Sequence, residues 1–273
     1  MEPITIEITC PRNTYEKREN VTYGNVIHEA YYSKTTGLER GFNILLPANY
    51  NKDKKYPVLY LLHGIFGDEY TLLQDENLFV PEIVKNLHED GKAVEMIVVF
   101  PNMYATSDAN QKPSFNQEDV KPYDNFIHDL VNDLIPYIEK NYSVLTEKKN
   151  RAIAGFSMGG RESLFIGLKR PDLFGYVGAI APAPGLVPSM DWAMTHPGQM
   201  KEEDLLFHEN KPFLLFLCCG TDDKTVGKFP ECYHKIFTSN NVDHIWYEIP
   251  DADHDAQAIR SGVNNFVSCI FHE

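Results

Sequence analysis

The sequence predicts an α/β fold: a mostly parallel central sheet flanked by helices on both faces, with an antiparallel N-terminal edge. Three observations carry this. Apolar runs of strand length recur along the chain, and several are continuous rather than alternating, as strands covered on both faces require. Segments of helical periodicity separate them, the βα alternation of a parallel sheet. The first forty residues differ, because Ile4-Thr5-Ile6-Glu7-Ile8-Thr9 alternates at period two and marks an antiparallel edge. At 273 residues and 43% hydrophobic content, the chain can bury roughly three quarters of its unfolded surface, so a single domain over residues 1–273 is expected.

After the edge come strands at 44–46 and 58–62, a helix at 79–87 and a strand at 96–100. Residues 102–124 are polar and irregular. A helix over 126–142 precedes the strand 152–154, the helix 159–169 and the strand 176–180. Residues 182–210 again lack a period; they carry Pro182, Pro184, Pro188, Pro197 and Trp192. Both irregular stretches are loop candidates near a site. A strand at 213–218, a helix at 229–237, a strand at 244–249 and a helix at 255–271 complete the pattern. No internal repeat or interdomain linker is visible.

The balance of 25 Lys+Arg against 39 Asp+Glu gives a formal charge of −14, which repels phosphate backbones and anionic lipid heads. Nucleic acid and membrane surfaces are therefore not expected as partners, and no run approaches the ~20 apolar residues of a membrane span. Met1-Glu2-Pro3 has neither the basic nor the apolar region of a secretory leader, so this end gives no location. Cys10, Cys218, Cys219, Cys232 and Cys269 lack metal-site spacing, and their odd number leaves at least one unpaired. Cys218 and Cys219 read as small buried hydrophobes. Cys232 and Cys269 fall on different predicted helices and could be bridged in a secreted protein.

Gly155-Phe156-Ser157-Met158-Gly159, between a predicted strand and a predicted helix, matches the nucleophile elbow, in which glycines permit a tight turn that lifts the serine hydroxyl clear of the sheet. The turn also puts Ser157 at a helix N-terminus, which favours developing negative charge. A serine nucleophile needs a base and the base an orienting carboxylate, each in a loop after a later strand. His254, in Pro250-Asp251-Ala252-Asp253-His254-Asp255, stands beyond the last strand and before the last helix. The acid belongs after the strand 213–218, where Asp222 and Asp223 are adjacent and spacing does not choose between them; the other reading for either is a helix cap. The backbone N–H of Met158 is one candidate oxyanion donor. The second is that of Ile65, in Leu61-Leu62-His63-Gly64-Ile65-Phe66-Gly67. His63 reads as an orienting, hydrogen-bonded histidine.

Taken with Phe100-Pro101-Asn102, Tyr123-Asp124-Asn125-Phe126, Leu134-Ile135-Pro136-Tyr137-Ile138-Glu139, Cys219-Gly220-Thr221-Asp222-Asp223 and Asp253-His254-Asp255, these stretches give the chain a resemblance to the feruloyl esterases of carbohydrate esterase family one, relatives of esterase D. The resemblance implies the α/β-hydrolase fold and a secreted enzyme that cleaves hydroxycinnamate esters on the arabinose side chains of xylan in the plant cell wall. Its partner is feruloylated arabinoxylan or its oligosaccharides; no cofactor or metal is needed. It carries Ser157 over as nucleophile, His254 as base and Asp223 as triad acid. Two departures stand out: Phe66 where the family often has glycine, which narrows the pocket or offers the acyl ring a wall, and Asp222 where it often has asparagine. Trp192 is a candidate substrate platform, with burial in the core as the alternative. The triad alone does not separate this activity from that of an acetylxylan esterase, a siderophore esterase or an S-formylglutathione hydrolase. A catalytically silent binding module is disfavoured by the complete set of nucleophile, acid, base and oxyanion loops.

Overall fold

The computed structural model describes residues 5–272. A short helix α1 (Arg12–Tyr15) leads into an antiparallel hairpin of β1 (Asn25–Ser33) and β2 (Leu38–Leu46), then β3 (Val58–Leu62). Helices α2 (Thr71–Gln74) and α3 (Val80–Glu89) precede β4 (Ile97–Pro101). Helix α4 (Gln117–Asp129) runs through a π-helical stretch (Leu130–Leu134) into α5 (Ile135–Asn141). Next come β5 (Arg151–Phe156), α6 (Met158–Lys169) and β6 (Tyr176–Ile180). An insertion bearing a miniature hairpin, β7 (Ser189–Met190) with β8 (Thr195–His196), leads to β9 (Leu214–Gly220), α7 (Phe229–Ser239), β10 (Ile245–Ile249) and α8 (Ala256–Val267).

The large sheet runs β1-β2-β4-β3-β5-β6-β9-β10. β2 pairs antiparallel with β1 and β4, and the other pairings are parallel. β3 explains the layering. Val58, Tyr60 and Leu62 pack into one core cluster with residues of α4, α5, α6 and α7, while Leu59 and Leu61 join the opposite cluster with α3 and α8. A strand that must satisfy both layers cannot alternate, hence the unbroken apolar runs. Parallel strands deliver the loops after β3, β5, β9 and β10 to one edge of the sheet, where open α/β sheets place their ligands.

The N-terminal edge is antiparallel, but residues 5–9 do not form it; Ile4 lies outside the described residues. The edge is the β1–β2 hairpin. The alternating stretch is held instead by the side-chain amide of Asn265, which accepts from Glu7 N–H and donates to Glu7 O, both at 2.9 Å, taking over the backbone groups a neighbouring strand would pair. The long helix begins at Gln117, nine residues before the predicted start. Asn116 caps it by accepting from Asp119 N–H at 2.9 Å, and Pro122 sits inside it. The last helix ends at Val267 rather than 271. All five cysteines are free, so Cys232 and Cys269 are not bridged. No helix of the described residues is long and apolar enough to cross a membrane.

Candidate active site

Ser157 joins β5 directly to α6 with φ 56° and ψ −116°, a conformation costing about 1–3 kcal/mol for a side-chain-bearing residue. Its surroundings fix it. Its N–H donates to Ile180 O at 2.9 Å, and its carbonyl accepts from Ala183 N–H at 2.9 Å and Arg161 N–H at 3.0 Å. Both elbow glycines are required by close approach: a Cβ on Gly155 would stand 2.4 Å from the Gly159 carbonyl carbon, and one on Gly159 the same distance from Leu62 O. The side chain lies at the start of α6, where the first N–H groups are free to face an anion.

His254 follows β10 and packs against Phe156, the residue before the serine, with ring centroids 4.3 Å apart and the rings tilted by 33°. Its Nδ1 lies 2.8 Å from Asp223 Oδ2. A carboxylate acceptor there puts the ring proton on Nδ1 and leaves the Nε2 lone pair free. Ser157 Oγ has no hydrogen-bond partner among the described residues, and a bond to that Nε2 would tighten only in the reacting complex, as is common for such pairs. Asp223 Oδ1 accepts from Thr225 N–H at 2.9 Å and Val226 N–H at 3.0 Å, and Cys219 Sγ lies 3.7 Å from Oδ2. Burial opposes the charge of Asp223, but its bond to His254, the charge of that ring and the two amides outweigh burial and hold the carboxyl below its ordinary range.

The doubled aspartate is thereby resolved in geometry: Asp223 is buried and faces His254, and Asp222 is exposed. Neither caps the next helix, whose N-cap is Lys228; the capping-type bonds belong to Asp223 and close its own loop. Asp253, which the sequence did not single out, bridges the two loops, its Oδ1 accepting from Lys224 N–H at 3.1 Å and His254 N–H at 2.8 Å.

The loop after β3 lies against the serine, since a Cβ on Gly64 would stand 3.5 Å from Ser157 Cβ. Ile65 N–H and Met158 N–H have no hydrogen-bond partner among the described residues. Ile65 is held from both sides: Gly64 O accepts from His63 Nδ1 at 2.7 Å, and Phe66 N–H donates to Tyr123 Oη at 3.1 Å. His63 Nε2 in turn accepts from Met103 N–H at 2.9 Å, tying this loop to the one after β4. His63 is therefore neutral, and burial pushes it from an ordinary 6.5 down to about 4, against the raising effect of its bond to Gly64.

A depressed histidine favours the fold fully above its unfolded value, near 6.5, and that contribution is lost as pH falls through about 4. The full loss is about 3 kcal/mol. Urea unfolding of the wild type should weaken more steeply between these pH values than that of His63→Gln, which is less stable at pH 7 but lacks this titration. Parallel pH profiles for the two proteins would rule His63 out as the cause.

Phe66, with φ 65°, and Trp192, in the β7–β8 turn, are both exposed, so Trp192 is not a core residue. The structure brings them together through Phe115, which the sequence reading missed. Phe115 lies edge-on to Phe66 with centroids 4.9 Å apart and to Trp192 at 5.3 Å. Exposures of 53, 47 and 72% for Phe66, Phe115 and Trp192 mark a continuous aromatic row leading away from the oxyanion loop. The available signal for Phe115 was its place as an isolated aromatic in the polar stretch 102–124.

Strand order, the left-handed serine between β5 and α6, and a histidine and an acid on the β10 and β9 loops define an α/β-hydrolase fold. The family described as "Putative esterase" matches residues 33–241, and the chain belongs to that family. It is similar to a CE1 ferulic acid esterase, AmCE1/Fae1A from Anaeromyces mucronatus, solved in complex with ferulic acid: 45% identity, 98% of both chains covered, TM-score 0.95. An endo-1,4-beta-xylanase/feruloyl esterase of Xylanibacter ruminicola is 34% identical over 172 residues, 61% of this chain, and this chain spans only 23% of that protein's length. An S-formylglutathione hydrolase (FrmB) of Staphylococcus aureus, 21% identical over 89% of this chain and 98% of its own with TM-score 0.63, shares the fold alone.

Proposed function

We propose that this carboxylic ester hydrolase cleaves feruloyl esters of arabinoxylan or its oligosaccharides, acting outside the cell in plant cell wall breakdown. Ser157 attacks the ester carbonyl while His254 Nε2 takes the hydroxyl proton, and Asp223 holds the imidazolium that forms. The oxyanion is received by Ile65 N–H and Met158 N–H. Collapse expels the arabinose hydroxyl, which takes its proton from His254, and a water activated by the same ring then releases the hydroxycinnamate. The reaction involves no redox change, and water is its second reactant. The observation that carries the reading is the aromatic row: Phe66 follows the oxyanion donor, where an aromatic acyl group would lie, and Trp192 stands at its outer end, where a sugar ring would.

The test is a comparison of kcat/KM for methyl ferulate, methyl acetate, 4-nitrophenyl acetate, acetylated xylan and S-formylglutathione. Methyl ferulate is expected to exceed methyl acetate, which has the same leaving group, because binding energy from an acyl ring is available only to a substrate that has one. Trp192→Ala should raise KM for a feruloylated arabinoxylan oligosaccharide about fivefold, the equivalent of about 1 kcal/mol of aromatic contact. A lead for acetylated xylan or the thioester would replace the reading with a small-acyl hydrolase.

A further inference from the structure

The insertion between β6 and β9 carries Trp192 away from the body of the protein, and its attachment is unusual. The hairpin is internally braced: Asp191 Oδ1 accepts from Ala193 N–H at 2.8 Å and Met194 N–H at 2.7 Å, and Asp191 Oδ2 meets His196 Nε2 at 3.1 Å. Beyond the contact of Trp192 with Phe115 and an exposed bond from Gln117 Nε2 on α4 to Thr195 O at 3.2 Å, such a unit is held by its base. At that base Gln199 N–H is shared between Gly185 O and Leu186 O, both at 3.1 Å.

The Gln199 side chain reaches out of the insertion. Its Nε2 lies 2.9 Å from Asp124 Oδ1 on α4, and 2.9 and 3.1 Å from the two carboxylate oxygens of Glu162 on α6. The same two carboxylates clasp Arg161, whose Nη2 is 2.6 Å from Asp124 Oδ1 and 2.6 Å from Glu162 Oε1. Arg161 and Glu162 are buried. Three carboxylate oxygens on one side require the NH2 end of the amide there, and Gln199 Oε1 is left buried without a partner. Arg161 also bonds through its backbone to the carbonyl of Ser157, so the cluster stands one helical turn from the candidate nucleophile.

We infer that Gln199 is a positioning residue for substrate selection: its amide, gripping the Asp124–Arg161–Glu162 cluster, fixes the hairpin so that Trp192 completes the aromatic row. The inference rests on the proposed substrate site, but its physical part can be tested without substrate. Gln199→Met preserves side-chain length and apolar volume while deleting the donor. Hydrogen exchange of the backbone amides in 185–200 should quicken about tenfold in that variant, with α6 unchanged. For a feruloylated arabinoxylan oligosaccharide KM should rise about fivefold with kcat within about twofold, and adding Trp192→Ala should cost little more, because coupled residues do not act additively.

Unchanged exchange in 185–200 would overturn the anchor whatever the substrate. Faster exchange with KM unmoved, or full additivity with Trp192→Ala, would overturn its role in selection. If the wild type prefers a small acyl ester, the proposed function fails by itself, and the exchange arm still decides the anchor. Should Gln199→Met not fold, Gln199→Leu carries the same readouts.

Discussion

Ser157→Ala is expected to lower kcat by about 10⁴-fold or more, since members of a triad act as a unit and the loss of the nucleophile removes the covalent route. The variant is a clean probe. Alanine keeps the Cβ, so the left-handed turn carries the same backbone penalty, and the bonds to Ile180, Ala183 and Arg161 are all made by the main chain. The fold should therefore survive with near wild-type thermal stability, and residual turnover would be limited to what the oxyanion donors and binding provide. A fluorophosphonate should label Ser157 in the wild type and nothing in the variant. Turnover near the wild-type rate, or labelling elsewhere, would remove Ser157 from the reaction.

Asp223→Asn is expected to cost about 10⁴ in kcat, the scale found for the corresponding change in a serine-protease triad. The amide can still accept from Thr225 and Val226 N–H, so the loop should hold. Its NH2 group turned to His254 Nδ1 would force the ring proton onto Nε2, the atom that has to receive the serine proton. Asp222→Asn serves as the internal control: that side chain is exposed and turned away, so kcat should stay within about twofold. Measured side by side, a large loss confined to the Asp222 variant would mean that a different loop conformation operates during turnover.

How much of this was legible follows from where the deciding contacts lie. β3 and β6 were bounded correctly from sequence because cover on both faces leaves a continuous apolar run. β1 escaped because an outer strand with Asn25, His28 and Glu29 on it has no such signature. The expected strand is absent over residues 5–9, where a single side chain, Asn265, takes the backbone groups of Glu7 that a partner strand would pair, an interaction 258 residues distant. The head of α4 was missed because Gln117–Asp119 and Pro122 read as loop, although a proline can stand in a helix whose lost bond is met elsewhere. Ser157 and His254 could be read from chain order, and Ile65 and Met158 from glycine-rich turns. Between Asp222 and Asp223 local spacing was silent, as the choice is one of side-chain direction. Phe115 offered only its place in a polar stretch, and the contacts of Tyr123 and Gln199 had no local signal, since each acts through partners delivered by distant segments.

The histidine hangs from β10, which has one neighbour in the sheet and leaves Ile245, Trp246 and Tyr247 only half-buried. Edge elements of this kind open on their own, well short of global unfolding. Asp223 would stay behind on β9, paired on both sides, while His254 drifted off. Activity is therefore expected to fade on heating before most amides lose their protection, and stiffening the β9–β10 seam should raise the working temperature; activity and amide protection lost together would overturn this.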